Sequence, residues 1–197
     1  GYKLPTPIQR KTLPLALAGR DVVAMARTGS GKTACFLIPL VEKLKAHATT
    51  AGARALVLAP TRELAEQIHE EFRTFAGQVR IGVVYGGVGY GPQIAALRRG
   101  VDILVACPGR LEDLIERGLV DLGHVDHVVL DEADRMADMG FMPQVEWILG
   151  RAKKDHETLR FSATLDGMVG ALISRYQTGP VTHEVASNDV TVAEMEH

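Results

Sequence analysis

The sequence predicts a three-layer α/β domain with a mostly parallel central sheet, and three observations predict it. Short runs rich in Val, Ile and Leu alternate with longer segments of helical period. Most of the short runs are continuously apolar, as strands buried on both faces require, and lack the alternation of a half-exposed antiparallel sheet. The first run opens through glycines straight into a helical segment, the junction at which such folds bind ligands.

Taken in order, DVVAM (21–25) is the first strand and KTACFLIPLVEKLKAH (32–47) the helix after it. ALVLA (55–59) precedes the helix TRELAEQIHEEFRTFA (61–76), and RIGVVY (80–85) is the third strand. DILVAC (102–107) leads into PGRLEDLIERG (108–118), HVVLD (127–131) comes before the helix FMPQVEWILGRA (141–152), and LRFSA (159–163) is the last strand. Residues 179–197, GPVTHEVASNDVTVAEMEH, have no helical period and read as an extended exit segment or linker. Trp147 and Leu149 read as core, and the pairs Arg98–Arg99 and Lys153–Lys154 as solvated turns.

Composition limits the function classes. With 46% hydrophobic and 23% charged residues the chain reads as one ordinary globular domain, and no apolar stretch approaches the roughly 20 residues that span a bilayer. Two cysteines, Cys35 and Cys107, make no disulfide framework, so an intracellular, reducing location is expected. A net charge of −2 neither demands nor excludes nucleic acid, which responds to where Lys and Arg cluster. The seven histidines show no zinc spacing.

The first motif with chemistry is ARTGSGKT (26–33), which matches the phosphate-binding loop G-x-x-x-x-G-K-[ST] with Ala26 in the first glycine position. Thr28, Gly29, Ser30 and Gly31 offer backbone N–H groups as an anion nest at a helix N-terminus. Lys32 then reaches the β and γ phosphates and Thr33 offers a hydroxyl to Mg²⁺; the plain alternative is a glycine-rich turn with an exposed lysine.

The second is VVLDEADRMAD (128–138), where an apolar strand runs into Asp131, Glu132 and Asp134. Three acids so close repel one another unless a cation gathers there. Asp131 suits a Mg²⁺ held through water and Glu132 an attacking water to be oriented or deprotonated. The competing reading is an acidic first helical turn facing the helix dipole.

Together these residues resemble the DEAD-box RNA helicases. DEAD (131–134) looks like the family signature, GYKLPTPIQ (1–9) resembles its adenine-reading Q motif, and ARTGSGKT its motif I. PTRELA (60–65), Gly86–Gly87, CPGR (107–110) and SAT (162–164) are similar to motifs Ia, GG, Ib and III, in the same order.

The resemblance implies a RecA-like phosphate-loop NTPase domain over residues 1–178, ATP and Mg²⁺ as cofactors, and Lys32, Asp131 and Glu132 as the catalytic set. It implies that Gln9 reads adenine, with an amide able both to donate and to accept. Thr61, Arg62, Gly86, Gly87, Pro108, Gly109 and Arg110 are implied to hold single-stranded RNA by its backbone, with little sequence preference. Asp134, Ser162 and Thr164 are implied to couple the two sites.

Plainer readings stand beside these: Gln9 as a surface glutamine, Arg62 paired with Glu63 or Glu66, Arg110 paired with Glu112 or Asp113, and Ser162 and Thr164 as helix caps. Cys107 stands where the family usually has Thr. No stretch after SAT resembles the family's second RecA-like domain, with its arginine motif. The chain therefore reads as the amino-terminal half of a monomeric, non-membrane helicase whose second domain completes hydrolysis. An ATP-dependent RNA clamp with little turnover and a DNA helicase are the rivals.

Overall fold

A computed structural model describes residues 5–26, 31–45, 52–164, 170 and 181–184. In chain order the elements are α1 (Pro7–Leu17), β1 (Val22–Met25), α2 (Lys32–Lys45), β2 (Ala55–Leu58), α3 (Arg62–Phe75), β3 (Ile81–Val84) and α4 (Tyr90–Arg99). They continue with β4 (Ile103–Ala106), α5 (Pro108–Glu116), β5 (His127–Leu130), α6 (Ala133–Asp138), α7 (Met142–Leu149), β6 (Glu157–Ser162) and β7 (Val181–Glu184).

The strands form one seven-stranded sheet in the order β3-β4-β2-β5-β6-β1-β7. Every described pairing is parallel, so all the strands end at the same edge. Alternation along each strand then builds two cores. Val22, Ala24, Val57, Val105, Val129 and Phe161 pack with residues of α1, α2 and α3 on one face. Leu56, Leu58, Leu104, Val128 and Leu130 pack with residues of α5, α6 and α7 on the other. Phe36 of α2 anchors the first layer between Phe72 and Phe161, with ring centroids 6.3 and 5.6 Å away.

All six sequence-predicted strands are present. The seventh, β7, lies in the segment read as an extended exit, and pairs with β1 in the register Val22↔Val181 to Met25↔Glu184. Its VTHE lacks the unbroken apolar run that a strand buried on both faces shows; residues 185–197 lie outside the described residues. Arg98 and Arg99 are exposed, as expected, but belong to the last turn of α4 and not to a turn. That helix buries only Gln93, so no apolar stripe announces it.

Helix starts set the outer edge of the site. Thr61 caps α3, its Oγ1 accepting from the Leu64 N–H at 3.2 Å. Thr61→Ala should lower stability by about 1 kcal/mol, read as a lower midpoint in urea unfolding. An unchanged midpoint would show that the hydroxyl does no capping. No helix among the described residues is long and apolar enough to cross a membrane.

Candidate functional site

The sheet order sorts the sequence motifs into two neighbouring groups along one edge. β5, β6 and β1 lie side by side, and their carboxyl ends carry Asp131 and Glu132, Ser162 to Thr164, and the loop that leads to Lys32. β3, β4 and β2 lie side by side on the other half, and their ends carry Gly86 and Gly87, Pro108 to Arg110, and Thr61 and Arg62. Such an edge is where open α/β sheets bind ligands.

In the first group Lys32, in the first turn of α2, is buried, and its Nζ lies 3.0 Å from Asp131 Oδ1 and 3.5 Å from Glu132 Oε1. Asp131 is completely buried. The 3.0 Å contact is an ion pair, and Asp131 Oδ2 has no hydrogen-bond partner among the described residues. Burial raises the Asp131 carboxyl above its ordinary value, and the Lys32 ammonium opposes that rise. A buried carboxylate oxygen is left to accept. That donor set, with Thr33 on the same helix turn as Lys32, fits a hard divalent cation.

Glu132 has φ 51° and ψ 52°, the one non-glycine residue with positive φ among the described residues. Left-handed backbone costs an L-residue about 1–2 kcal/mol, so the strand-to-helix turn holds this carboxylate against a local preference. The turn directs Glu132 to Lys32 and, through Oε2, to Arg135 Nη1 at 3.4 Å.

Gln9 is buried and belongs to the capping box of α1: its Oε1 accepts from the Thr6 N–H at 2.9 Å. Its Nε2 donates to the Gly31 carbonyl at 3.0 Å, so it is no surface glutamine but a brace on the end of the phosphate-loop segment. Each end of the amide keeps one further hydrogen-bonding position. Gly31 has φ +82°, which favours glycine, and a Cβ there would meet Gln9 Nε2 at 2.7 Å, so a larger residue would also have to displace the Gln9 amide. Thr28, Gly29 and Ser30 lie outside the described residues.

Between the groups, Ser162 Oγ accepts from the Asp134 backbone N–H at 3.1 Å and donates to the Thr164 carbonyl. The tie expected between Asp134 and SAT therefore runs through main chain. The serine oxygen satisfies an orphan N–H at the start of α6, a need that a carboxylate does not have.

In the second group Arg62 is exposed, pairs with Glu66 at 3.3 Å and lies 4.9 Å over the Tyr85 ring. The Tyr85 hydroxyl donates to the same Glu66 oxygen at 2.6 Å, and these two donors hold the Glu66 carboxyl below its usual range. The plainer reading of Arg62, a helix-start pair with Glu66, is thus realised. Arg110 departs from its plainer reading, a pair with Glu112 or Asp113. Its guanidinium donates to Gln93 Oε1 at 3.0 Å and to the Val88 carbonyl at 2.9 Å, and stacks 4.0 Å over Tyr90. Tyr90, not Arg110, engages Asp113.

Gly86 and Gly87 are exposed, and a Cβ at either would meet nothing within 4 Å. Cys107 makes no side-chain cap bond at the start of α5, and burial pushes its thiol up to about 11, so it is a neutral, weak donor. Pro108 has no N–H, which leaves the N–H groups of Gly109 and Arg110 as the uncapped donors of that helix. A cavity of about 700 Å³ lies apart from the Lys32 cluster, along the outer edge of β3, lined among others by His69, Arg73, Ile81, Val83 and Arg99.

Sequence reading named Glu66 only as a partner of Arg62, and missed Tyr85, Tyr90 and Gln93 as members of this site. The only local signal was position, since Tyr85 adjoins the glycine doublet and Gln93 falls on a helix with no apolar stripe.

The sequence profile of the DEAD/DEAH box helicase family matches residues 6–171. The chain is 46% identical to a probable ATP-dependent RNA helicase, ddx17, of Dictyostelium discoideum, over 97% of this chain and 25% of that protein. It is 50% identical to the ATP-dependent RNA helicase DDX54 of Mus musculus, over 92% of this chain and 21% of that protein. A DEAD box protein from the hyperthermophile Methanococcus jannaschii superimposes with TM-score 0.87 at 42% identity, covering 93% of this chain and 50% of the other. The chain thus spans about a quarter or less of these two curated relatives. Its sheet is the RecA-like sheet of those neighbours. One family profile takes in most of the length, and relatives are 46% and 50% identical over nearly all of it, so the chain belongs to the DEAD/DEAH box helicase family.

Proposed function

We propose that this domain is the ATP-binding half of an ATP-dependent RNA helicase, supplying an ATP–Mg²⁺ site and part of a groove for single-stranded RNA. The observation that carries the reading is the Lys32–Asp131–Glu132 cluster, with Lys32 and Asp131 buried, at the carboxyl ends of β1 and β5, beside the exposed Gly86 and Gly87 and the uncapped start of α5. The names of its relatives, ATP-dependent RNA helicases, support it.

Lys32 moves its ammonium from Asp131 to the β and γ phosphates, exchanging one anionic partner for another. Thr33 and Asp131 would hold Mg²⁺, which would supply positive charge against the charge that develops on the phosphates. Glu132 orients the attacking water and accepts its proton. Thr28, Gly29, Ser30 and Gly31 give backbone N–H groups to the phosphates. Gln9 uses its two spare hydrogen-bonding positions on the adenine edge, which favours ATP over GTP. Thr61, Arg62, Gly86, Gly87, Pro108, Gly109 and Arg110 face the RNA backbone, so sequence preference is weak. Arg62 leaves Glu66 for phosphate, and Asp134, Ser162 and Thr164 link the two halves.

Turnover requires a second RecA-like domain of the same protein, whose arginines clamp the transition state. The domain by itself should bind ATP weakly and barely hydrolyse it. A monomeric intracellular enzyme suits this chemistry and two free cysteines, Cys35 buried and Cys107 half-buried.

Calorimetric titration of the purified domain tests the reading: ATP binding that weakens on removing Mg²⁺ is expected, and no binding of ATP at millimolar concentration overturns it. A second prediction concerns Arg62→Ala in the full-length protein. It removes one cationic phosphate contact, so the slope of log affinity for single-stranded RNA against log salt should fall by about 0.7. An unchanged slope would remove Arg62 from the groove.

A further inference from the structure

Gln93 is the only buried residue of α4, and it is polar. A buried amide without partners is costly, so its position needs a reason. Its Nε2 donates to the Tyr85 carbonyl at 3.0 Å. Its Oε1 accepts from Arg110 Nη1 at 3.0 Å, and the other terminal nitrogen of Arg110 donates to the Val88 carbonyl at 2.9 Å. Tyr90 completes the support: its ring lies 4.0 Å under Arg110 and 4.3 Å under Arg117, and its hydroxyl donates to Asp113.

One amide therefore fixes both ends of the segment that holds Gly86 and Gly87, Tyr85 directly and Val88 through Arg110. The glycines themselves add nothing to that order, since the space where their Cβ atoms would lie is open and Gly87 has φ +81°. Glycines lose the most backbone freedom on ordering, about 1–2 kcal/mol per residue fixed. A ligand that had to order this loop would lose that amount from its affinity, whereas a loop already pinned at both ends spares it.

We propose that Gln93 is a positioning residue of the RNA groove, holding the glycine loop through the Tyr85 carbonyl and through Arg110 so that its backbone donors are set before RNA arrives. The assignment rests on the RNA-groove reading above. It makes Arg110 a brace between α5 and the loop, and joins two motifs that sequence shows only as separate stretches.

The test uses the full-length protein with Gln93→Leu, which keeps the volume and removes both hydrogen bonds, and Gln93→Glu, which keeps an acceptor for Arg110 and loses the donor to Tyr85. Amide hydrogen exchange at Gly86 to Gly89, without RNA, should speed up most in Gln93→Leu and less in Gln93→Glu. Affinity for a single-stranded oligonucleotide RNA should fall roughly tenfold in Gln93→Leu, the loss expected from one re-ordered residue. The salt slope should stay at the wild-type value, because no charged phosphate contact is removed. Should Gln93→Leu fail to fold, the same three readings on Gln93→Glu decide, with exchange faster than wild type as the supporting result. Wild-type exchange, or faster exchange with wild-type RNA affinity, overturns the role of Gln93 while leaving the groove intact. Absence of RNA binding by the wild type sinks the groove reading itself.

Discussion

Lys32→Ala in the full-length protein should weaken ATP binding at least 100-fold, measured by fluorescence titration with a labelled nucleotide. The ammonium is buried beside Asp131 and Glu132, and each charge-assisted contact it makes to phosphate contributes about 1.5–3 kcal/mol. The substitution also leaves a buried aspartate without its cation, which predicts how stability follows pH. Burial already raises the Asp131 carboxyl above 3.8, and losing Lys32 raises it further. A carboxyl with a higher folded than unfolded pKa binds more protons when folded, so stability falls as pH climbs through the window between the two values. The variant should therefore lie close to wild type near pH 4 and lose ground above it. Near-normal ATP affinity in Lys32→Ala would remove the lysine from the site.

Glu132→Gln is expected to separate binding from chemistry. Gln has the same length and keeps an acceptor for Lys32, so ATP affinity should stay within a few-fold of wild type, while the lost base should lower kcat by roughly 10²–10⁴. Stopped turnover with intact binding supports the role; turnover at the wild-type rate excludes it. The left-handed backbone of Glu132 adds a second arm. Glu132→Gly relieves that strain and should leave unfolding stability unchanged or higher, yet it should be as inactive as Glu132→Gln. A loss of stability in the glycine variant would show that the turn holds its shape without strain.

How much of this was legible in the sequence depended on whether the cause was local. Three of the six strands were readable most directly because Val22–Met25, Ala55–Leu58 and Ile103–Ala106 are almost wholly buried, and a strand covered on both faces favours an unbroken apolar run. β7 was not, because VTHE has no such run. The phosphate loop and the acidic strand end were readable as motifs, since the residue types are contiguous. Their relation was not: Lys32 meets Glu132 across a separation of 100 residues, a contact made only by the sheet order that brings β1 and β5 to one side.

Arg110 shows the limit most plainly. As part of CPGR it reads as a phosphate grip, and the groups it touches, Gln93, Val88 and Tyr90, belong to another loop and helix. The Gln9 brace on Gly31 is hidden for the same reason, joining residues 22 apart. Left-handed backbone at a glutamate has no sequence signature at all, since the residue favours helix and not αL.

The central claim is that the Lys32–Asp131–Glu132 cluster and the backbone donors beside it are two halves of one RNA-dependent ATPase. The direct measurement is steady-state ATP hydrolysis by the full-length protein as single-stranded RNA is titrated in. The account predicts a rate that rises to saturation with RNA and that disappears in Glu132→Gln. A rate that stays flat at saturating RNA contradicts it.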